Sequence, residues 1–497
     1  MISRDNGLST LRCRLEKSVG IAIDNIAAHG DTDIFPSPDE AALLFFDREE
    51  AAKKVMALHD DFVSKSGVSP PELIRCLVPA GYLTQRLATQ IPPLWNAYYL
   101  AIVIACAPDI ERNRVSSDRV FSYRFISPSL GDQIFDTKIG WARFVDATLH
   151  DCAHHSYALV TDIADFYHRV RLKTLSQALE KAGIDDSLRK LLIKILIMFD
   201  VDHYGLPVGG PGSRLLAELA LARADALLDE KRIPFLRFVD DIRLFAKSER
   251  ESQRYLLALS SLLWEDGFSL NKNKTRVMRS DDLIEEVSLS RATALSSIEG
   301  SVTSAETTAL LPHDPYTEMR AQMDLQLSRF ALRPDSVSRI MQEFSKSRLN
   351  VSLCKNLLAS VSHLPSEQAG DVLAALLEIP DSLLLIPVFS RLMETLESNL
   401  SRLPQPAVDR ICERLLTLAF GDEAIVMFDF HRALCIRLLG RLPIQDVDAF
   451  DRDLERLSHN TACKLVRREI TTVRWRCGIG SCSTCQRGLP DHSHLQG

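Results

Sequence analysis

The chain has 497 residues, 46% hydrophobic and 25% charged, with a net charge of −7. That length exceeds one ordinary core and points to two or three domains, and no apolar run is long enough to span a bilayer. The N-terminal stretch MISRDNGLSTLRCRLEKSVG lacks the apolar core of a secretory signal, so a soluble cytoplasmic protein is expected, with no membrane partner and its 11 cysteines mostly reduced. The acidic balance does not advertise nucleic-acid binding, although a binding groove is set by local charge and not by the global sum.

Residues 1 to about 150 read as mixed, helix-rich sequence. The apolar stretch Pro92 to Ile110 suits either a buried helix or a strand. A basic cluster follows, with Arg112, Arg114, Arg119 and Arg124, and VFSYRF (Val120 to Phe125) alternates as a half-buried strand would. YALVTDIADFYHRV is a β-rich run that meets an acidic residue. A helical stretch from Lys173 to Phe199 comes next, then the Gly/Pro loop YGLPVGGPGS. RLLAELALARADALL is a strong helix with an apolar stripe. PFLRFVDDIRLFA reads as a hairpin around an Asp pair, residues 252 to 266 as an amphipathic helix, and FSLNKNKTRVM as a closing strand region. This order predicts an α+β sheet with helices on one face.

From about residue 310 strand signals fade and leucine-rich helical segments take over. A Leu-Pro mark follows such a segment at Leu364-Pro365, Leu403-Pro404 and Leu442-Pro443, at equal spacing. A period of roughly 40 residues suits two helices per repeat in a HEAT-like solenoid. An irregular helical domain with coincidental prolines is the plainer alternative.

The chemistry is carried by carboxylates. Nucleotidyl transfer uses two divalent ions held close together, and Mg²⁺ prefers hard oxygen ligands while keeping some of its waters. Asp162 ends the apolar run ALVTD; Asp240 and Asp241 sit at the expected hairpin tip. Side chains alternate along a strand, so only one of that pair can face Asp162 squarely. That role is assigned to Asp240, with Asp241 at the turn assisting. An Asp pair in a turn is common by itself.

Four motifs in order give the Asp pair its weight: TDIADFY, GLPVGGPGSRLLAEL, RFVDD and DGFSLNKNKT. Together, over roughly residues 90 to 280, they resemble reverse transcriptases. The resemblance implies a reverse-transcriptase fingers-palm fold of the α+β class followed by an all-α HEAT-like repeat domain. Its expected parts are an N-terminal helical and fingers region (1–150), a palm with the polymerase site (151–300), helical repeats (310–475) and a Cys/His tail (476–497). It further implies an RNA-directed or template-independent DNA polymerase. Asp162, Asp240, Asp241 and the Ile163 backbone carbonyl would hold two Mg²⁺ ions, with Mn²⁺ as a substitute. Tyr167, beside Phe166, falls at the family's sugar-gate position, and Phe238 stands where most members have Tyr.

Gly209, Gly210 and Gly212 permit close backbone approach to a base pair or sugar, or simply form a turn. Ser213 is expected as helix N-cap. Lys274 suits either departing pyrophosphate or a solvated surface. Arg119 and Arg124 suit either the triphosphate or a charged solvent face. The branch most resembled is that of the bacterial abortive-infection and defence-associated, AbiK-like reverse transcriptases. That likeness implies anti-phage defence, homo-oligomers (trimer or hexamer), deoxynucleoside triphosphates, a DNA product, an RNA partner such as a noncoding RNA, and priming on a protein hydroxyl in some relatives.

In the tail, Cys477, Cys482 and Cys485 followed by His492 could supply a tetrahedral zinc site; a tail with incidental thiols is the alternative. Two other readings of the whole chain stay open: a retron- or maturase-like enzyme of a genetic element, and a catalytically silent RNA-binding scaffold. No RNase H, integrase or endonuclease signature is seen.

Overall fold

The computed structural model describes residues 2–64, 68–126, 133–296, 327–380 and 382–479. The chain forms two compact units, one of residues 1–74 and 88–323 and the other of residues 75–87 and 324–497. Among the described residues no helix is long and apolar enough to cross a membrane.

The first unit opens with helices α1 (Ile2–His29), α2 (Asp39–Phe46) and α3 (Arg48–Ser64). A hairpin of β1 (Ile74–Pro79) and β2 (Gln85–Gln90) follows, and its residues 75–87 belong to the second unit. The apolar stretch after it is a helix, α4 (Pro93–Arg112). Pro93 opens α4 where no N–H is needed. Every residue of α4 from Asn96 to Ala107 is buried, so the helix is apolar all round and forms the centre of the unit's core.

VFSYRF is not a strand. Val120 and Phe125 make only isolated bridges, and Tyr123 between them has φ of 44°, which breaks an extended run. The cause is polar: Ser122 turns inward to buried Glu218 and Arg124 to partly buried Glu111, and strand alternation is lost. After α5 (Trp141–Cys152) comes the central strand β3 (Tyr157–Asp162), then the short α6 (Phe166–Arg169). The stretch Lys173 to Phe199 is two helices, α7 (Leu172–Lys181) and α8 (Asp186–Met198). Gly183, at φ of 71°, ends the first. The Asp185 carboxylate starts the second by accepting from the Ser187 and Leu188 N–H groups.

Helix α9 (Val201–Tyr204) leads to the glycine loop and to α10 (Pro211–Glu230), buried along most of its length. Strands β4 (Phe235–Phe238) and β5 (Asp241–Ala246), helix α11 (Glu249–Glu265), strand β6 (Arg276–Arg279) and helix α12 (Ser280–Ser296) follow, the last elements among the described residues of this unit. The four longer-range strands form one antiparallel sheet in the order β4-β5-β3-β6. β3 is central, and its residues Ala158, Leu159, Thr161 and Asp162 are buried.

The helical part of the second unit repeats one arrangement three times: a helix, a turn carrying Leu-Pro, and a second helix. The first helices are Val351–Ser360, Phe389–Asn399 and Asp429–Leu439; the second are Ser366–Leu377, Gln405–Phe420 and Val447–Asn460. Successive first helices pack on one another, and Ser366–Leu377 packs on Gln405–Phe420. Polar ties span one repeat to the next: Arg402 donates to the Leu364 and Val361 carbonyls at 2.7 and 2.8 Å, and Arg414 donates to the Leu377 carbonyl. The architecture is therefore an α+β domain followed by a helical domain.

Candidate active site

Strand register brings the acidic residues together. Asp162 ends β3 opposite Asp241, the first residue of β5. Phe238 pairs with Asp241 across the β4–β5 hairpin, which leaves Val239 and Asp240 as a two-residue loop. Asp241 is thus the strand residue opposite Asp162 and Asp240 is in the turn, the reverse of the positions expected from alternation. The turn is the reason: both loop residues leave the strand, so the alternation count restarts at Asp241. The tight turn still carries Asp240 onto the same spot, because the Ile163 N–H donates to the Asp240 carbonyl at 3.1 Å and the Asp240 and Asp162 carboxyls share a hydrogen bond.

The electrostatic consequence is large. Burial, followed by the neighbouring charges of Asp162 and Asp241, pushes Asp240 up to about 7. Burial and Asp162 raise Asp241 as well, with Lys274 and Arg243 pulling the other way. Burial would lower the Lys274 ammonium, but its Nζ lies 2.7 Å from Asp162 Oδ2, and the acidic group holds it above its ordinary value. Arg243, behind Asp241, is desolvated to about 10 while donating to Thr148 and lying over the Phe144 ring.

The hairpin turn is held from beneath. Val239 has φ of 56°, unfavourable for a β-branched residue in a position that glycine usually fills. Both of its backbone groups are tied to buried side chains: its N–H donates to Ser122 Oγ at 2.9 Å, and its carbonyl accepts from Arg237 at 2.7 Å. The Arg237 guanidinium, 1% exposed, also donates to Glu218 and Asp225. Glu218 in turn accepts from Ser122 and Arg114. Burial works against the Glu218 charge, yet Arg237 and Arg114 outweigh it and keep the carboxylate below its usual range. A strained turn fixed by a buried, multiply paired network is the pattern of a preorganised site.

The other predicted residues divide. Tyr167 is half-buried, and its phenol is held well above the ordinary value by burial and by nearby Tyr123. Phe166 is a core residue, stacked edge-on against Phe268, and is not open to a nucleotide. The Ile163 N–H is engaged as above, and the residue bridges to Leu270. Phe238 packs against Tyr123, Trp141 and Phe144, apolar contacts that need no hydroxyl.

Gly209, at φ of 115°, is needed for close approach, but the approaching group is the chain itself. A Cβ there would lie 2.2 Å from Thr32 Oγ1. At Gly210 a Cβ would meet the Asp31 carbonyl, and at Gly212 the Tyr99 ring. Ser213 is not the N-cap of α10: the helix starts at Pro211 with Gly210 as cap, and Ser213 shares a hydrogen bond with Tyr99. Arg124 is 5% exposed and donates to the Val120 and Val115 carbonyls and to Glu111, so it braces a loop and has no donor set facing outward for a triphosphate. Arg119 is partly exposed, 3.9 Å from Asp151.

Two features escaped the sequence reading. Asn271 donates its side-chain amide to Asp162 Oδ2 at 3.3 Å while its backbone N–H binds the Asp162 carbonyl at 2.7 Å. It lay unremarked inside FSLNKNKT. Arg237 was visible as a cation between apolar strand residues in FLRF, a sign of a paired buried charge.

Among the described residues no group of three or more His, Cys, Asp or Glu side chains stands ready to hold a metal ion. In the triad a cation already faces Asp162, the Lys274 ammonium. The donor chemistry nevertheless fits Mg²⁺: two carboxylates on adjoining strand ends and a third in the turn beside them, with Asp240 and Asp241 held above their ordinary range by burial and by their acidic neighbours. For the tail, only Cys477 of the four zinc candidates is described; it caps the helix Lys464–Arg476. Cys482, Cys485 and His492 lie outside the described residues.

Comparison with known proteins agrees with the four-motif resemblance. Residues 105–308 match the family "Reverse transcriptase (RNA-dependent DNA polymerase)". No curated protein matches the chain. Among solved structures it is remotely similar to telomerase from Candida albicans in complex with a TWJ fragment of telomeric RNA, at 12% identity over 78% of this chain and 71% of that one, with a TM-score of 0.31. A second is apo telomerase from Candida tropicalis, at 10% identity over 82% and 70%, with a TM-score of 0.33. Residues 105–308 thus match a reverse-transcriptase domain, and that match supports an RNA-directed DNA polymerase, a nucleotidyltransferase.

Proposed function

We propose that Asp162, Asp240 and Asp241 are the carboxylates of the polymerase site and that this site adds deoxynucleotides to a growing strand in anti-phage defence. The observation that carries the site is the convergence of three acidic groups at the adjoining ends of the two inner strands and the turn beside them, with Asp240 pushed up to about 7. Two like charges beside a third persist in a half-dry site only where a cation is part of the design. These residues would hold Mg²⁺, which when bound supplies charge neutralisation and an activated hydroxyl.

The chain's own contributions follow from position. Asn271 fixes the Asp162 oxygen that Lys274 also faces. Lys274, half-solvated and protonated, is placed to give a proton or positive charge to a leaving pyrophosphate once Asp162 is otherwise engaged. Tyr167, near Asp240 and Tyr123, would form the wall that meets the sugar 2′ position. The defence reading rests on the likeness of the motifs to abortive-infection enzymes. It is also supported by the helix–Leu-Pro–helix unit repeated three times, which fits a HEAT-like domain in place of a basic thumb.

The test is incorporation of labelled deoxynucleotides, one at a time, by wild type and by the Asp240→Asn/Asp241→Asn double variant in Mg²⁺. Products are resolved with and without nuclease and protease. Wild-type-only incorporation supports the reading. Equal labelling in both samples would take the incorporation away from these carboxylates; none in either, with RNA and a primed template supplied, leaves a silent RNA-binding scaffold as the better account.

A further inference from the structure

The second unit contains a thiol pair that the polymerase chemistry does not use. Cys76 lies in β1 and is buried. Cys463 immediately precedes the 13-residue helix Lys464–Arg476. Both are free thiols, they are within hydrogen-bonding reach of each other, and both line one cavity of about 640 Å³. The rest of that cavity is mostly apolar, with Leu77, Leu87, Ile386 and Phe428 among its walls.

The two sulfurs are in different environments. Cys463 is the N-cap residue of the helix that follows it, with its sulfur beside Cys76 and near the Val466 and Leu465 N–H groups of the first turn, though without a capping hydrogen bond to them. Its backbone is fixed by its own N–H, which donates to Thr461 Oγ1 at 3.1 Å, and by its carbonyl, which accepts from Arg467. Free helix N–H groups favour an anion, as they do at reactive cysteines generally. The Cys76 thiol donates to the Leu77 carbonyl at 3.7 Å, and its contact with Cys463 together with burial keeps it protonated. Together the contacts bring Cys463 down to about 7.

We propose that Cys463 and Cys76 form a reversible oxidation site, with Cys463 as the peroxide-reactive sulfur and Cys76 as the resolving one. The Cys463 thiolate attacks the terminal oxygen of a hydroperoxide. An S–O bond forms, the O–O bond breaks, and the leaving alkoxide or hydroxide takes a proton. The Cys76 sulfur then attacks the Cys463 sulfenic sulfur, the S–S bond forms, and the S–O bond breaks. Water leaves with the Cys76 proton. The two sulfurs together lose two electrons and the peroxide gains them. The product ties β1 to the start of the helix Lys464–Arg476 within the second unit, and a dithiol reverses it.

The test uses the full chain, reduced and then exposed to substoichiometric hydrogen peroxide at pH 7, quenched with an alkylating agent and digested without reductant. A cross-linked peptide joining residues 76 and 463, abolished by dithiothreitol, is the expected product. Iodoacetamide should label Cys463 on the order of tenfold faster than exposed Cys13 at pH 7, since only the thiolate reacts. In Cys76→Ser the reaction should stop at a sulfenic acid on Cys463 that dimedone captures, and in Cys463→Ser Cys76 should stay reduced. The proposal is overturned if wild type gives no 76–463 cross-link while other cysteines oxidise, or if Cys463 is alkylated no faster than Cys13. The first readout needs no variant, so misfolding of a serine mutant cannot obscure it.

Discussion

Replacing Asp240 with Asn should stabilise the metal-free protein. In the fold this carboxyl titrates near 7 against an ordinary 3.8, so ionising it in place is penalised. A raised folded value means that its contribution to stability is fully present below pH 3.8 and is lost as pH rises through about 7. The gap of about three pH units corresponds to about 4 kcal/mol at pH 8, and side-chain relaxation should reduce the measured gain to roughly 2–4 kcal/mol. Asn keeps the shape and a hydrogen bond to Asp162 while removing the charge. At about 2–4 °C per kcal/mol, the melting temperature of the first unit should rise by several degrees in EDTA at pH 8. The gain should fall to less than half at pH 5, where wild-type Asp240 is mostly protonated. Mg²⁺ should raise the wild-type melting temperature more than the variant's. A variant that melts at or below wild type at pH 8 in EDTA would refute the claim that burial and the neighbouring carboxylates penalise the Asp240 charge.

Other consequences follow from the same structure. Arg237→Met leaves Glu218 and Asp225 buried without their guanidinium and should cost about 3–5 kcal/mol in a denaturant titration; Arg237→Lys should keep more stability yet lose incorporation, because one ammonium cannot hold both carboxylates and the Val239 carbonyl. Lys274→Met, at a largely exposed side chain, should change stability by less than about 1 kcal/mol, while single-turnover incorporation falls by roughly 10²-fold if its proton or charge serves the leaving group. Gly209→Ala should destabilise by more than about 1 kcal/mol, since its Cβ would overlap Thr32 and its φ is positive; protection of residues 31–33 in hydrogen exchange should fall with it. His431 in the second unit is buried, donates to the Ile425 carbonyl at 2.9 Å, and is lowered from 6.5 to about 4. Its stabilisation is present above pH 6.5 and lost as pH falls toward 4, so His431→Gln should lessen the acid-induced drop in that unit's unfolding temperature.

The sequence alone carried the carboxylates, the sheet and the helical character of the later part of the chain, because each has a local signature: an apolar run ending in Asp, an Asp pair between β-prone runs, and leucine-rich helices punctuated by Leu-Pro. It left α4 undecided between helix and strand, since a segment buried on every side has no periodicity to read. It misread VFSYRF because alternation describes where side chains go only while the backbone stays extended, and Tyr123 at positive φ ends that. It put Asp240 rather than Asp241 on the strand because a two-residue turn resets the alternation, and turn length follows from which residues pair. Arg124 looked like a phosphate ligand because residue type shows charge but not partners; only the tertiary fold buries it against Glu111 and two carbonyls. Ser122, Glu218 and Arg237 are far apart in sequence and meet only when α10 packs under the sheet. Local signatures report what a short segment prefers, whereas ion pairing, desolvation and the strain stored at Val239 depend on neighbours that the fold alone supplies.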